Sequence, residues 1–123
     1  MLKTPKSCGV VAGTIIFFIH LALAAYIFAS VHQDRVAQAE FAWFLFMRID
    51  FPICNFAWDY VATTRPFEAL MDWGYTWGSG PNLRAFAIHG IFGGAQWFGI
   101  GALLGFFFWP KRGYIAIRRP RVV

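Results

Sequence analysis

Charge is scarce in this chain: Asp, Glu, Lys and Arg make up 14% of its 123 residues, against about 25% in an ordinary soluble domain. Cysteine is scarcer still. Cys8 and Cys54 are the only two, which excludes a small domain held by several disulfides. No internal repeat and no low-complexity tract is present, and the length leaves room for one domain without a linker. What fills the chain instead is apolar and aromatic: 59% hydrophobic residues, with 15 Phe, 6 Trp and 4 Tyr. Disordered chains are poor in both classes. A core of this size could not hide so many rings from water, so the composition points to lipid.

Two long gaps between charges set the expected architecture. No charged residue occurs among the 27 positions between Lys6 and Asp34, nor among the 26 between Arg84 and Lys111. A bilayer core of about 30 Å needs about 20 apolar residues in a helix. The sequence therefore predicts an all-α membrane protein: a two-span antiparallel transmembrane hairpin, with short interfacial or re-entrant helices between the spans. The predicted spans are residues 9–31 and 85–109, the intervening outer segment is 34–84, and a basic tail covers 110–123. Asn82 reads as an N-cap for the second span, and Pro110 as its end. A cleaved signal peptide is the rival for the first run, since Lys3 and Lys6 precede it and Ala22-Leu23-Ala24 resembles a cleavage site. The run continues to Val31, which favours an uncleaved span.

The outer segment holds two apolar stretches, Phe41–Met47 and Phe51–Trp58, interrupted by Arg48 and Asp50. A charge at a helix centre costs about 2.5–3.5 kcal/mol on insertion scales. The expectation is therefore a break at Asp50-Phe51-Pro52, with Pro52 opening a new short helix. Thr64-Arg65-Pro66 marks another helix start, running to about Trp73, and Gly74–Pro81 reads as loop. Four of the tryptophans, Trp43, Trp58, Trp73 and Trp77, fall in this segment and read as an interfacial cap.

Charge asymmetry gives orientation. The two ends carry seven cations, Lys3, Lys6, Lys111, Arg112, Arg118, Arg119 and Arg121, whereas the middle has four Arg against six acids. The positive-inside rule then places both termini in the cytoplasm and requires an even number of spans. The basic tail reads as a topology signal and an anionic-lipid contact, and nucleic acid is not expected as a partner.

Small and polar residues inside the spans are the candidate site. Gly90, Gly94, Trp97, Gly101 and Gly105 form one stripe on the second span, and Gly9 and Gly13 offer small surface on the first. Such residues let helix backbones approach in lipid. The stripe packs the hairpin or docks a protein partner or a second copy. His20 and Gln96 lie near the centres of their runs, so a hydrogen bond between them is expected. Counting depth from the run centres sets His32 opposite about residue 86, within a turn of His89. Those two imidazoles are the alternative reading, a haem, metal or quinone site. His20 and His89 are expected about 13 Å apart in depth, too far to act together. No third ligand accompanies the histidines, so no cofactor is expected. Asp50, Asp59, Glu68 and Asp72 join no His, Ser or Cys at a recognisable spacing, and no enzyme is expected. The leading function is a structural or accessory subunit of a membrane complex.

Ile49-Asp50-Phe51-Pro52, followed by His89-Gly90-Ile91-Phe92-Gly93 with Gln96-Trp97, resembles a pattern in small uncharacterised bacterial two-span inner-membrane proteins. These share an Asp-aromatic-Pro break and a final helix with His-Gly, Gly and Trp. The resemblance implies a bacterial inner-membrane location and carries over no catalytic residue.

Overall fold

The computed structural model describes residues 5–33 and 41–108. The seven cations of the ends, apart from Lys6, lie outside the described residues, as do Trp109 and Pro110. Every element is helical. In chain order they are α1 (Pro5–Gln33), α2 (Phe41–Ile49), α3 (Ile53–Tyr60), α4 (Arg65–Tyr75), α5 (Gly80–Ile88), a π-helical turn (His89–Gly93) and α6 (Gly94–Phe108). α5, the π turn and α6 run on as one continuous 29-residue helix, Gly80–Phe108. At about 1.5 Å per residue this rod is about 43 Å long, as is α1. Both are long and apolar enough to cross a membrane, and only 17% of the apolar stretch of each is buried.

The two rods pack antiparallel along a seam that the small residues make possible. A Cβ on Gly9 would lie 2.7 Å from the Ala102 carbonyl oxygen, one on Gly105 2.9 Å from the Gly9 Cα, and one on Gly101 2.9 Å from the Gly13 Cα. Gly13 similarly faces the Phe98 carbonyl, Gly94 the ring of Phe17, and Gly90 the end of Leu21. The stripe is thus turned toward α1. Gly99, off the stripe, meets nothing within 4 Å.

This seam fixes a register that charge-counting missed. The second rod begins at Gly80, five positions before the predicted start at residue 85, because Arg84 lies inside it. The guanidinium is accommodated by the face of Trp58, at 5.3 Å. A charge that a helix can shelter is not a helix boundary. Asn82 accordingly sits inside α5 and not at its cap. Its Oδ1 accepts from Trp43 Nε1 at 2.8 Å, and its Nδ2 donates to the Phe28 carbonyl at 3.0 Å, tying α5 to α2 and α1. Gly74–Pro81 is only partly loop, since α4 runs to Tyr75 and α5 starts at Gly80. Gly78, with φ 77°, makes the one left-handed turn between them.

α2 and α3 form a helical hairpin that dips between the rods. Asp50-Phe51-Pro52 is its tip, and Pro52 directly precedes α3. Two apolar clusters hold the hairpin. Trp43 and Phe46 pack with Ala24 and Ala85 on one side. Cys54, Ala57 and Ala62 pack with Ile88 on the other. α4 opens at Thr64 and Pro66, and its Phe67 packs on the second cluster. Trp43 is therefore buried, and Trp58 half-buried, within the bundle. Trp73 and Trp77 are exposed.

Candidate acid–base centre

The midpoint of α1 is Ile19 and that of the 29-residue rod is Gly94. The hairpin tip arrives at this level. Asp50 is completely buried there, as is His89, and His20 is 4% exposed. His89 Nδ1 donates to Asp50 Oδ2 at 2.7 Å. Trp97 Nε1 donates to Asp50 Oδ1 at 3.0 Å. His20 Nε2 lies 3.5 Å from Asp50 Oδ2 and donates to the His89 carbonyl at 3.1 Å. The Cys54 thiol, one turn beyond the tip, is 3.7 Å from Asp50 Oδ2. A buried carboxylate is tolerated only where hydrogen-bond donors surround it, and His89, Trp97 and Cys54 provide them.

Local structure explains how the groups meet. The π turn holds both His89 and Gly93, and π turns occur often at functional sites. Gly93 leaves the space that Asp50 and His20 occupy: a Cβ there would collide with Asp50 Oδ2 and lie 2.8 Å from His20 Nε2. Aromatic rings wall the imidazoles. Trp43 stacks on His89 with centroids 5.4 Å apart and planes at 14°. Phe46 meets the His89 ring edge-on at 5.7 Å. Trp97 stacks on His20 at 6.3 Å.

The expected His20–Gln96 bond is absent. Gln96 instead clamps the hairpin tip, its Nε2 donating to the Phe51 carbonyl at 3.1 Å and its Oε1 accepting from Ile53 N–H at 3.3 Å. These are backbone groups that the turn between α2 and α3 leaves without a helical partner. His32 and His89 are not brought together either. His32 Nδ1 pairs with Ser79 Oγ at 2.8 Å, and its ring lies beside Phe28 and Trp77. The register thus puts His32 about seven residues, or two turns, from where the run centres placed it. The same shift brings His20 and His89 together, against the expectation of a 13 Å separation. Trp97, expected as a packing residue, is a donor to the site. The missed member is Asp50. No spacing rule links it to histidines 30 and 39 positions away, and only the Asp-aromatic-Pro break marked it.

Asp50, Cys54 and His89 offer O, S and N atoms within 4.8 Å of one another, a donor set of the kind zinc takes. Two ligands bonded to one tetrahedral zinc at about 2.0–2.1 Å would stand about 3.3 Å apart. Asp50 and His89 are at 2.7 Å, a closed hydrogen bond. The geometry is that of a proton-sharing carboxyl–imidazole pair with a second imidazole in reach. Such a group can take up, hold and pass a proton without large movement. Compared with protein-family models, with characterised proteins and with solved structures, the chain matches none.

Proposed function

We propose that this chain is an integral membrane protein of the bacterial inner membrane, with two spans, a re-entrant hairpin between them and both termini in the cytoplasm. We read the Asp50–His89–His20 cluster as a proton-binding centre within the bilayer. The observation that carries this reading is the position of Asp50, fully buried at the level where both long helices have their midpoints. An ionisable side chain at that depth is expensive and marks proton or ion handling by default. The mostly uncovered apolar surface of both rods supports lipid as their solvent. The charge split between ends and middle supports the orientation.

Infrared difference spectra across a pH titration of the protein in lipid test the centre. The expected result is a carboxyl C=O band that titrates together with imidazole bands and is missing in Asp50→Asn. A pH-insensitive spectrum in this region would make the cluster a structural clasp only. Orientation is tested by alkaline phosphatase fusions, expected inactive after Val123 and active near Ser79. The opposite pattern rejects it.

The accessory-subunit reading is compatible with this centre and has its own support. Arg48 is exposed on α2 two residues before the tip. No ion pair to it occurs among the described residues. Arg at such depth ordinarily faces a protein neighbour or a water-filled cavity. The glycine stripe, by contrast, is occupied by α1, so a partner or second copy would meet the α2 face and not the glycines. Affinity purification in mild detergent of wild type and Arg48→Leu tests this. A co-purifying membrane protein lost in the variant supports it, and identical profiles contradict it.

A further inference from the structure

Lipid supplies no counter-ion, and the α2–α3 hairpin carries two charges that nothing in the chain neutralises. The ion pairs among the described residues are those of Asp50 with His20 and His89. Arg48 on α2 and Asp59 on α3 are both exposed and take part in neither. Measured along the helices, Arg48 stands about 3 Å from the tip residue Asp50, and Asp59 about 10 Å from Pro52. With the tip at the level of the rod midpoints, both charges fall inside a hydrocarbon half-thickness of about 15 Å. Charged side chains at such depth ordinarily pair with one another or face protein.

The two charges flank one groove. Phe44, Met47 and Arg48 of α2, Phe51 of the tip and Asn55 of α3 line a space of about 590 Å³. Asp59 is four residues beyond Asn55 and so on the same face of α3. The groove thus has a cation on its α2 side and an acid one turn above its α3 wall. Phe44 and Phe51, each 62% exposed, add rings of the kind that anchor protein interfaces.

Such a face is its own complement. A twofold axis along the membrane normal keeps two copies in one orientation and every residue at its own depth. Turning the face about that axis sets α2 of one copy opposite α3 of the other. Arg48 of each copy then meets Asp59 of the other, and the two pairs form together. The long Arg stem, which carries its charge toward the membrane surface, covers the remaining offset in depth. A foreign partner would need an acid and a base at matching positions, whereas a second copy has both by symmetry.

From this pattern we infer that the α2–α3 face is a dimer interface, closed by two reciprocal Arg48–Asp59 ion pairs. The inference rests on the membrane placement proposed above and names a second copy as what covers the α2 face.

The test uses the full chain in lipid vesicles, with subunits counted by single-molecule photobleaching and two affinity tags reporting mixed dimers. Wild type should be dimeric. Arg48→Glu and Asp59→Arg each set like charges against one another at both contacts, so the dimer should dissociate at least about 100-fold more readily in either variant. When the two variants are co-expressed under different tags, each mixed dimer again pairs opposite charges at both contacts. Co-purification of the two tags should therefore return to the wild-type level. An ion pair within one chain, or a lipid headgroup on Arg48, cannot produce that rescue. Where a reversed variant does not fold, Arg48→Gln and Asp59→Asn carry the test, each weakening the dimer by about 10-fold or more. A monomeric wild type, dimers indifferent to these substitutions, or reversal without rescue in the mixture would overturn the inference. A monomeric wild type whose alkaline phosphatase fusions keep the expected pattern removes the second copy and leaves the membrane placement standing. The opposite fusion pattern with charge-dependent dimers removes the placement and leaves the pairing.

Discussion

At Gly93 the lack of a side chain is what lets Asp50 and His20 meet. The position is helical, so the glycine is there for space and not for an unusual backbone angle. Gly93→Ala should therefore displace the hairpin tip, because neither a carboxylate held by three hydrogen-bond donors nor a packed imidazole can give way. Forcing an extra methyl into a packed site typically costs about 1–3 kcal/mol, and the upper end or more is expected here. Gly99→Ala is the control. Nothing lies within 4 Å of that position, and the change should be neutral or stabilising by up to about 1 kcal/mol through helix propensity. Thermal unfolding of both variants in detergent checks the contrast. Equal melting temperatures would mean that the tip does not press on Gly93. The sequence marked glycine in this helix as meaningful but assigned it to a heptad-like stripe. Gly93 is off that stripe, and its purpose depends on a residue 43 positions away.

At the scale of elements, the breaks were legible and the register was not. Pro52 ends one short helix and opens the next, and Thr64-Arg65-Pro66 starts another. In each case the cause is local, in the fixed φ of proline and its missing N–H. Helix pairing is not local. Reading span ends from charges set the second helix five residues late, since Trp58 shelters Arg84, and the error moved every cross-helix pair. Gln96 shows the consequence. It lies two residues from the midpoint of its rod, yet its partner is the hairpin tip and not His20. Gln96→Leu should leave the Phe51 carbonyl and Ile53 N–H unpaired, costing about 1–3 kcal/mol. It should also raise hydrogen exchange at Ile53 and Cys54 while leaving the α1–α6 seam protected. Unchanged exchange at the tip would show that the clamp contributes nothing.

At the scale of the molecule, two apolar rods form a frame, and the short hairpin carries Asp50 into it. The rods account for the composition: their outward faces remain apolar and mostly uncovered. The hairpin accounts for the interruption of Phe41–Trp58 by Arg48 and Asp50, which reads from sequence as a break between two short helices. An insertion penalty of about 2.5–3.5 kcal/mol for each charge at a helix centre argues against burial only when the charge arrives alone. Asp50 arrives among His89, Trp97, His20 and Cys54, so the penalty that predicts an interfacial helix does not apply to it. The account stands on the depth of that tip. Phe51, beside Asp50 and 62% exposed, reports it directly once Cys8 and Cys54 are replaced by Ala and Phe51→Cys carries a nitroxide spin label in bilayers. Power-saturation EPR should find the label near the membrane centre, with high accessibility to oxygen and little to a water-soluble nickel chelate. Chelate accessibility equal to that of a label at exposed Trp73 would put the tip at the surface and contradict the account.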